Sequence, residues 1–346
     1  MARLSDRIRA WLRLGPSVST TVSPRARGPV DHFLIIDGTM SSLEPGQETN
    51  AGLTYKLLCE RAPSAHLSIR YEAGVQWTRW RDALDVIEGR GINRQIRRAY
   101  GYIASRYHAG DRIFLIGYSR GAYAVRSLAG VIDRVGLLKA ENANVRNIRQ
   151  IYRHYQYSPD SFAAQVFAQN MCHDDVSIEM VGVWDTVKAL GLRLPLVWRM
   201  SKVQHAFHNH ELGNSIKHGF HALALDETRD AYAPVLWACP QGWTGDVQQV
   251  WFRGTHGDIG GQLSGFEAAR PLANIPLVWM FENIEKCGVQ LPEGWVDRFP
   301  QDPDAPSMGA FRGWGKMFWD RGKRIVGQDR SESIHPSVPQ NYKITR

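Results

Sequence analysis

The chain has 346 residues, 43% of them hydrophobic and 22% charged, ordinary globular usage that excludes global disorder and a collagen-like chain. Its 42 Lys and Arg against 34 Asp and Glu leave a formal charge of +8, which suits an anionic partner and says nothing about the fold. No run approaches the roughly 18 consecutive apolar residues of a membrane-spanning helix.

The first 30 residues carry Arg3, Arg7, Arg9, Arg13, Arg25 and Arg27 against one acid, Asp6, and lack the apolar core of a secretory signal. Their arginine and serine bias also fits an organelle transit peptide. Residues 15–30, rich in Gly, Pro, Ser and Arg, read as a linker, so the expected division is a basic segment over 1–30 and one domain over 31–346.

The body opens with an apolar strand, Phe33 to Ile36, closed by Asp37-Gly38-Thr39 as a turn. Thr49 or Asn50 caps a helix ending near Glu60, and the alternation of Leu67, Ile69 and Tyr71 predicts a strand that stops at Gly74. Ile92, Ile96, Tyr100, Ile103 and Tyr107 recur every three or four residues, which predicts an amphipathic helix over 91–108. Ile113–Ile116 follows as a buried strand, then a helix over 120–135 stopped by Gly136. Further expected elements are a strand over Ile178–Trp184, a helix around 214–226, a strand at Val250-Trp251-Phe252 and a helix over 273–286. This alternation is the rhythm of an α/β fold, a mostly parallel sheet with helices on both faces. The four cysteines, Cys59, Cys172, Cys239 and Cys287, form no C-x-x-C pair and read as buried thiols in a reduced compartment. His205, His208 and His210 have metal-ligand spacing, but no acidic cluster completes a site, so neither metal nor cofactor is expected.

Gly117-Tyr118-Ser119-Arg120-Gly121 matches G-x-S-x-G. The bare pattern is weak; its position directly after an apolar strand and directly before a helix is what makes Ser119 a candidate nucleophile. A serine hydroxyl needs a histidine base and a carboxylate to hold that base, in the chain order Ser, Asp or Glu, His for this fold. His256, in the glycine-rich Gly254–Gly261, follows the strand ending at Phe252, whereas His218 and His221 fall on the expected helix. Asp185 closes the Ile178–Trp184 strand on the same edge as Ser119 and is preferred to Asp226, at a helix end. Asp258, two residues past His256, is expected to pin the loop. Backbone N–H groups of Arg120 and of Gly38 or Thr39 are the candidate oxyanion donors, with Asp37 supporting their loop.

Taken together, Asp37-Gly38-Thr39, the Gly117–Gly121 elbow with Ala122 and Arg126, Gly182–Val187, His221–Glu227, the His256 loop and His335-Pro336-Ser337-Val338 resemble a family. That family is the α/β-hydrolase domain of type VI secretion phospholipase effectors, Tle-like lipases, over roughly residues 31–342. The resemblance implies a Ser119–Asp185–His256 triad cleaving an acyl ester of phospholipid. A small-molecule esterase of the same fold is the alternative, and a basic lipid- or nucleic-acid-binding protein is another. Asp37-Gly38-Thr39 also suggests a D-x-D-G-T phosphatase, but Ile35 stands where that nucleophile belongs. The basic residues are dispersed and carry no nucleic-acid recognition motif, so no nucleic-acid partner is expected.

Two segments suggest peripheral contact with an anionic membrane. Leu4, Ile8, Trp11 and Leu12 share a helical face within residues 1–14, flanked by Arg3 and Arg7. In residues 312–326, Trp314, Met317 and Phe318 interleave with Arg312, Lys316, Arg321, Lys323 and Arg324. The expected location is cytoplasmic or peripheral to the membrane, and delivery by a secretion system is not readable from the sequence.

Overall fold

Strands that are apolar throughout, rather than alternating, belong to a sheet covered on both faces. The computed structural model describes residues 28–62, 64–74, 90–187, 212–239, 245–310 and 321–344. In these residues the strands are β1 Asp31–Ile36, β2 Leu67–Glu72, β3 Arg112–Tyr118, β4 Ile178–Trp184, β5 Ile216–Ala224, β6 Asp246–Phe252 and β7 Glu332–Ile334. They form one sheet in the order β2-β1-β3-β4-β5-β6-β7, and every neighbouring pair is parallel. The helices are α1 Asn50–Cys59, α2 Arg90–Ala104, α3 Arg120–Arg134, α4 Val145–Tyr157, α5 Phe162–Met171, α6 His256–Gly260 and α7 Arg270–Lys286.

The period-2 geometry of the strands divides the core. Leu34, Ile36, Leu115, Val181 and Val183 face one layer, filled by Ile96, Ile103 and Tyr100 of α2, Val125 and Leu128 of α3 and Ile151 of α4. Phe33, Ile35, Phe114, Ile116, Met180 and Trp184 face the other, against Leu57 and Leu58 of α1 and Leu277, Met280 and Phe281 of α7. Phe33 and Phe114 are in register and stack at 4.4 Å. Thr49 caps α1 by accepting the Gly52 N–H (3.0 Å).

The chain leaves β1 for β2 on one side and then crosses to β3 on the other, which makes the β1/β3 carboxyl edge a topological switch point, where such sheets bind ligands. A glycine sets the approach there. A Cβ on Gly121 would lie 2.1 Å from the Ile36 carbonyl oxygen and 2.5 Å from that of Asp37, so only glycine lets the first turn of α3 pass β1.

One predicted element is of the wrong type. Residues 214–226, expected as a helix, contain β5, and His218 and His221 lie on that strand. Paired on both edges and buried on both faces from Gly219 onward, β5 shows no alternation there, and Ala222, Leu223 and Ala224 favour helix until strand pairing overrides them. α4 and α5 fill a stretch for which the sequence reading offers no element. Of the cysteines, Cys172 and Cys287 are buried, and burial pushes each thiol up to about 12; Cys59 and Cys239 are half-buried. Residues 1–14, most of the 15–30 linker, His205, His208, His210 and 312–320 lie outside the described residues.

The close approach at Gly121 makes Gly121→Ala a sharp test of this packing. Because the obstruction is backbone rather than a movable side chain, the variant should lose at least about 2 kcal/mol, read as a lower urea midpoint at unchanged m. A midpoint equal to that of the wild type would mean that α3 is free to step away from β1.

Candidate active site

β3 ends at Tyr118 and α3 begins at Arg120, so Ser119 alone makes the turn. Its backbone has φ 58° and ψ −119°, a conformation that non-glycine residues seldom adopt. The Ser119 N–H donates to the Trp184 carbonyl (3.0 Å), which ties the turn to the end of β4. A Cβ on Gly117 would sit 2.8 Å from the Ala122 backbone, so each flanking glycine has its own steric reason.

Three chain segments converge on this serine. His256 Nε2 lies 2.9 Å from Ser119 Oγ, and His256 Nδ1 lies 2.6 Å from Asp185 Oδ2. Ser119, Asp185 and His256 are 7%, 0% and 4% exposed, so the chain of polar groups is almost sealed from water. Asp185 also sits at positive φ (40°), with its N–H donating to the Ala222 carbonyl (2.8 Å). Its Oδ1 accepts from the Ala224 N–H (3.1 Å). The predicted glycine-rich loop at His256 is instead a short helix, α6, in which His256 is the first residue and Thr255 the N-cap. Asp258 is turned away from the serine. It accepts from Thr255 N–H (2.7 Å) and Oγ1 (2.8 Å), Ser307 Oγ (2.6 Å) and Met308 N–H (2.7 Å). Asp226 accepts from the Gly254 N–H and the Tyr342 hydroxyl, both at 2.6 Å, while the neighbouring Glu227 accepts from the His256 N–H (3.1 Å). Tyr118 and Tyr232 place their rings 4.9 and 4.6 Å from the imidazole.

Arg324 is the residue that the sequence reading put elsewhere. Expected on a membrane-facing basic patch, it is buried and grips both oxygens of Asp185, Nη2 at 2.9 Å from Oδ2 and Nη1 against Oδ1. Its remaining donors go to the carbonyls of Ala224 (2.9 Å) and Tyr232 (2.6 Å). Burial alone would raise the Asp185 carboxyl; the Arg324 charge and the bonds from His256 and Arg324 outweigh it and hold the group well below the usual carboxylate range. Arg321 likewise donates to Thr228 Oγ1 (3.1 Å) and Val326 packs with Leu223 and Trp251, so residues 321–326 form a strap tied down through Arg321, Arg324 and Val326, while Lys323 and Ile325 are exposed; the rest of the expected 312–326 patch lies outside the described residues. No local signal distinguishes Arg324 from its exposed neighbour Lys323.

His221 is a second residue that gains a place only in three dimensions. Buried on β5, it accepts the Thr186 N–H at Nε2 (3.1 Å) and faces Gln249 Oε1 with Nδ1 (3.4 Å). Burial and the nearby Arg126 push it down to about 3, so it stays neutral beside Asp185.

At the β1 end, Asp37 accepts from Gly38 N–H, Thr49 Oγ1 and Tyr71 OH, each at 2.6 Å. The Gly38 N–H is therefore occupied. The N–H groups of Thr39 and Arg120 have no acceptor among the described residues, and Thr39 Oγ1 is buried without a partner. Among the described residues no group of three or more His, Cys, Asp and Glu is placed to hold a metal ion, and no helix is long and apolar enough to cross a membrane.

A serine on a strand–helix turn, backed by an imidazole and a buried carboxylate, is a constellation shared by many hydrolases, so the family has to come from the chain itself. Residues 32–283 match the family model of the catalytic domain of Tle1-like phospholipase effectors of the type VI secretion system (T6SS). The chain belongs to this family. A curated protein, uncharacterized protein YEL023C of Saccharomyces cerevisiae, is 28% identical over 224 residues, 58% of this chain and 31% of that protein. Among solved structures, an uncharacterized protein from Pseudomonas aeruginosa aligns at TM-score 0.45 and 16% identity, over 90% of this chain and 53% of that one. The Tle1 effector bound to the VgrG spike of the type 6 secretion system aligns at TM-score 0.39 and 16% identity, over 68% and 51%. The chain thus spans under a third of the yeast protein and about half of each solved chain.

Two stability tests follow for this Tle1-like domain. Replacing Arg324 by Met leaves Asp185 as an unanswered buried charge, which should cost about 3–5 kcal/mol in urea unfolding; a loss below about 1 kcal/mol would mean that the pair is not formed. Asp37 has the opposite sign of pH dependence. Burial raises its carboxyl from 3.8 to about 6 despite the hydrogen bonds that pull it down. From pH 4 to 6 the unfolded chain therefore ionises first, and stability falls as pH rises, by up to about 3 kcal/mol. Asp37→Asn removes that contribution, so its stability relative to wild type should improve from pH 4 to pH 6.5. An unchanged difference across that range would show that Asp37 is already ionised at pH 4.

Proposed function

We propose that the protein is a serine hydrolase that cleaves an acyl ester of phospholipid through Ser119, His256 and Asp185. The observation that carries this reading is the unbroken polar chain from Ser119 Oγ through His256 to Asp185, at 2.9 and 2.6 Å, beside two backbone N–H groups that have no acceptor among the described residues. Membership of a phospholipase effector family supplies the substrate class.

In this mechanism His256 Nε2 takes the Ser119 proton as Oγ attacks the ester carbonyl carbon. Asp185 holds the Nδ1–H and stabilises the imidazolium. The oxyanion is received by the N–H groups of Arg120 and Thr39; Gly38 is excluded from that role because its N–H is bound by Asp37. Collapse breaks the ester C–O bond, the imidazolium gives its proton to the departing alcohol, and the acyl group remains on Ser119. Water, deprotonated by His256, then releases the fatty acid and restores the serine. Asp37 and Asp258 act by holding loops, and Arg324 is a positioning residue that locks the Asp185 rotamer. Ser119 and Asp185 are held in rare backbone conformations by surrounding bonds, as a preorganised site requires.

The test is digestion of mixed phospholipids by wild type and Ser119→Ala side by side, with free fatty acid and lysophospholipid measured. Wild type should release both and Ser119→Ala neither, while Asp185→Asn should lose about 10⁴-fold in turnover. Release of fatty acid from a soluble short-chain ester but from no phospholipid would favour a small-ester esterase. Asp185→Asn with near-normal turnover would remove the triad.

A further inference from the structure

Among the described residues, the arginines packed around this site each have an answer to their charge, with one exception. Arg324 has the Asp185 carboxylate and Arg229 has Glu227, at 2.7 and 2.6 Å. Arg126, buried and without a carboxylate, gives its donors to the carbonyls of Val235 and Leu236 and lies 4.7 Å from the centroid of the Trp237 ring. Arg120 is half-buried and has neither an ion pair nor a hydrogen bond among the described residues. Among the described residues Tyr232 lies within its electrostatic reach, and the Tyr232 ring is 4.6 Å from the His256 imidazole. Burial pushes the guanidinium down to about 10, as expected for a cation held out of water without a counter-charge. A guanidinium in that state carries five donors in a planar fork, suited to an incoming phosphate or carboxylate.

Geometry selects between these anions. Arg120 is the residue after Ser119, at the first position of α3, so its backbone lies beside the point where the ester carbonyl must sit, and its guanidinium is within electrostatic reach of Tyr232, whose ring packs against the His256 imidazole. In a glycerophospholipid the phosphodiester is only a few bonds from the acyl carbonyls, whereas the free carboxylate of a product forms at the reacting carbon itself, which the oxyanion donors already claim. We infer that the Arg120 side chain binds the phosphodiester of the phospholipid substrate and so selects phospholipids over neutral glycerides. This deepens the hydrolase reading and rests on it: one residue would serve the oxyanion through its backbone N–H and the head group through its guanidinium.

The test separates binding from chemistry by working in the Ser119→Ala background. Binding of monomeric dihexanoyl phosphatidylglycerol, dihexanoylglycerol and inorganic phosphate is measured by calorimetry on Ser119→Ala and on Ser119→Ala with Arg120→Gln. Loss of a charge-assisted pair should weaken phosphatidylglycerol binding about tenfold or more while changing dihexanoylglycerol by less than about twofold. Arg120→Lys should fall between the two, keeping the charge but not the fork. Equal weakening for both lipids, or for neither, would overturn the assignment. Inorganic phosphate bound as tightly as the phospholipid would also overturn it, by making the site one for free phosphate. Should the wild type cleave no ester, the hydrolase reading fails on its own while the binding comparison still decides the role of Arg120.

Discussion

A single buried anion organises the site. The Asp185 carboxylate, with no exposure to water, is met by imidazole from α6, by a backbone N–H from the end of β5 and by both arms of Arg324 from the C-terminal strap. A carboxylate in that position without those partners would cost several kcal/mol, so the parts of the chain that supply them have to be in place before the anion can be. Residues far apart in the sequence are thereby fixed with respect to one another by one charge.

The same anion explains the electrostatic arrangement around it. Arg324 neutralises Asp185 in the ground state, so the imidazolium that would form on His256 during turnover sees a partner whose charge is already shared. His221, one strand away, is kept neutral by burial and by Arg126, which avoids a further positive charge beside the carboxylate. The resulting cluster pairs Arg324 with Asp185 and Arg229 with Glu227, and beside it Arg120 has neither an ion pair nor a hydrogen bond among the described residues.

Steric constraint sets the other half of the site. Gly121 against the β1 carbonyls and Gly117 against the start of α3 bring the serine turn and the Asp37–Thr39 loop together at the switch point of the sheet. Asp37 then uses up the Gly38 N–H and, through Thr49 and Tyr71, ties the loop to α1 and β2. That the Thr39 and Arg120 N–H groups have no acceptor among the described residues is a consequence of that bonding and not of any feature of the two residues themselves.

By itself the sequence determined what depends on near neighbours. The apolar runs of β1, β3 and β4, the helical spacing in α2 and the glycines around Ser119 are local patterns, so the sheet, its edge and the residues at that edge were legible. Asp185 could be preferred to Asp226 and Asp258 because it ends a readable strand. The tertiary structure alone decided the rest. β5 is a strand because two neighbours pair with it, which no window of its own residues records. Gly38 and Thr39 are alike as donors until Asp37 claims one of them. Arg324 and Lys323 are adjacent cations, and only a carboxylate contributed from 139 residues earlier in the chain makes one of them part of the site. Pairing, burial and charge compensation are long-range, and each is settled only when the whole sheet has closed.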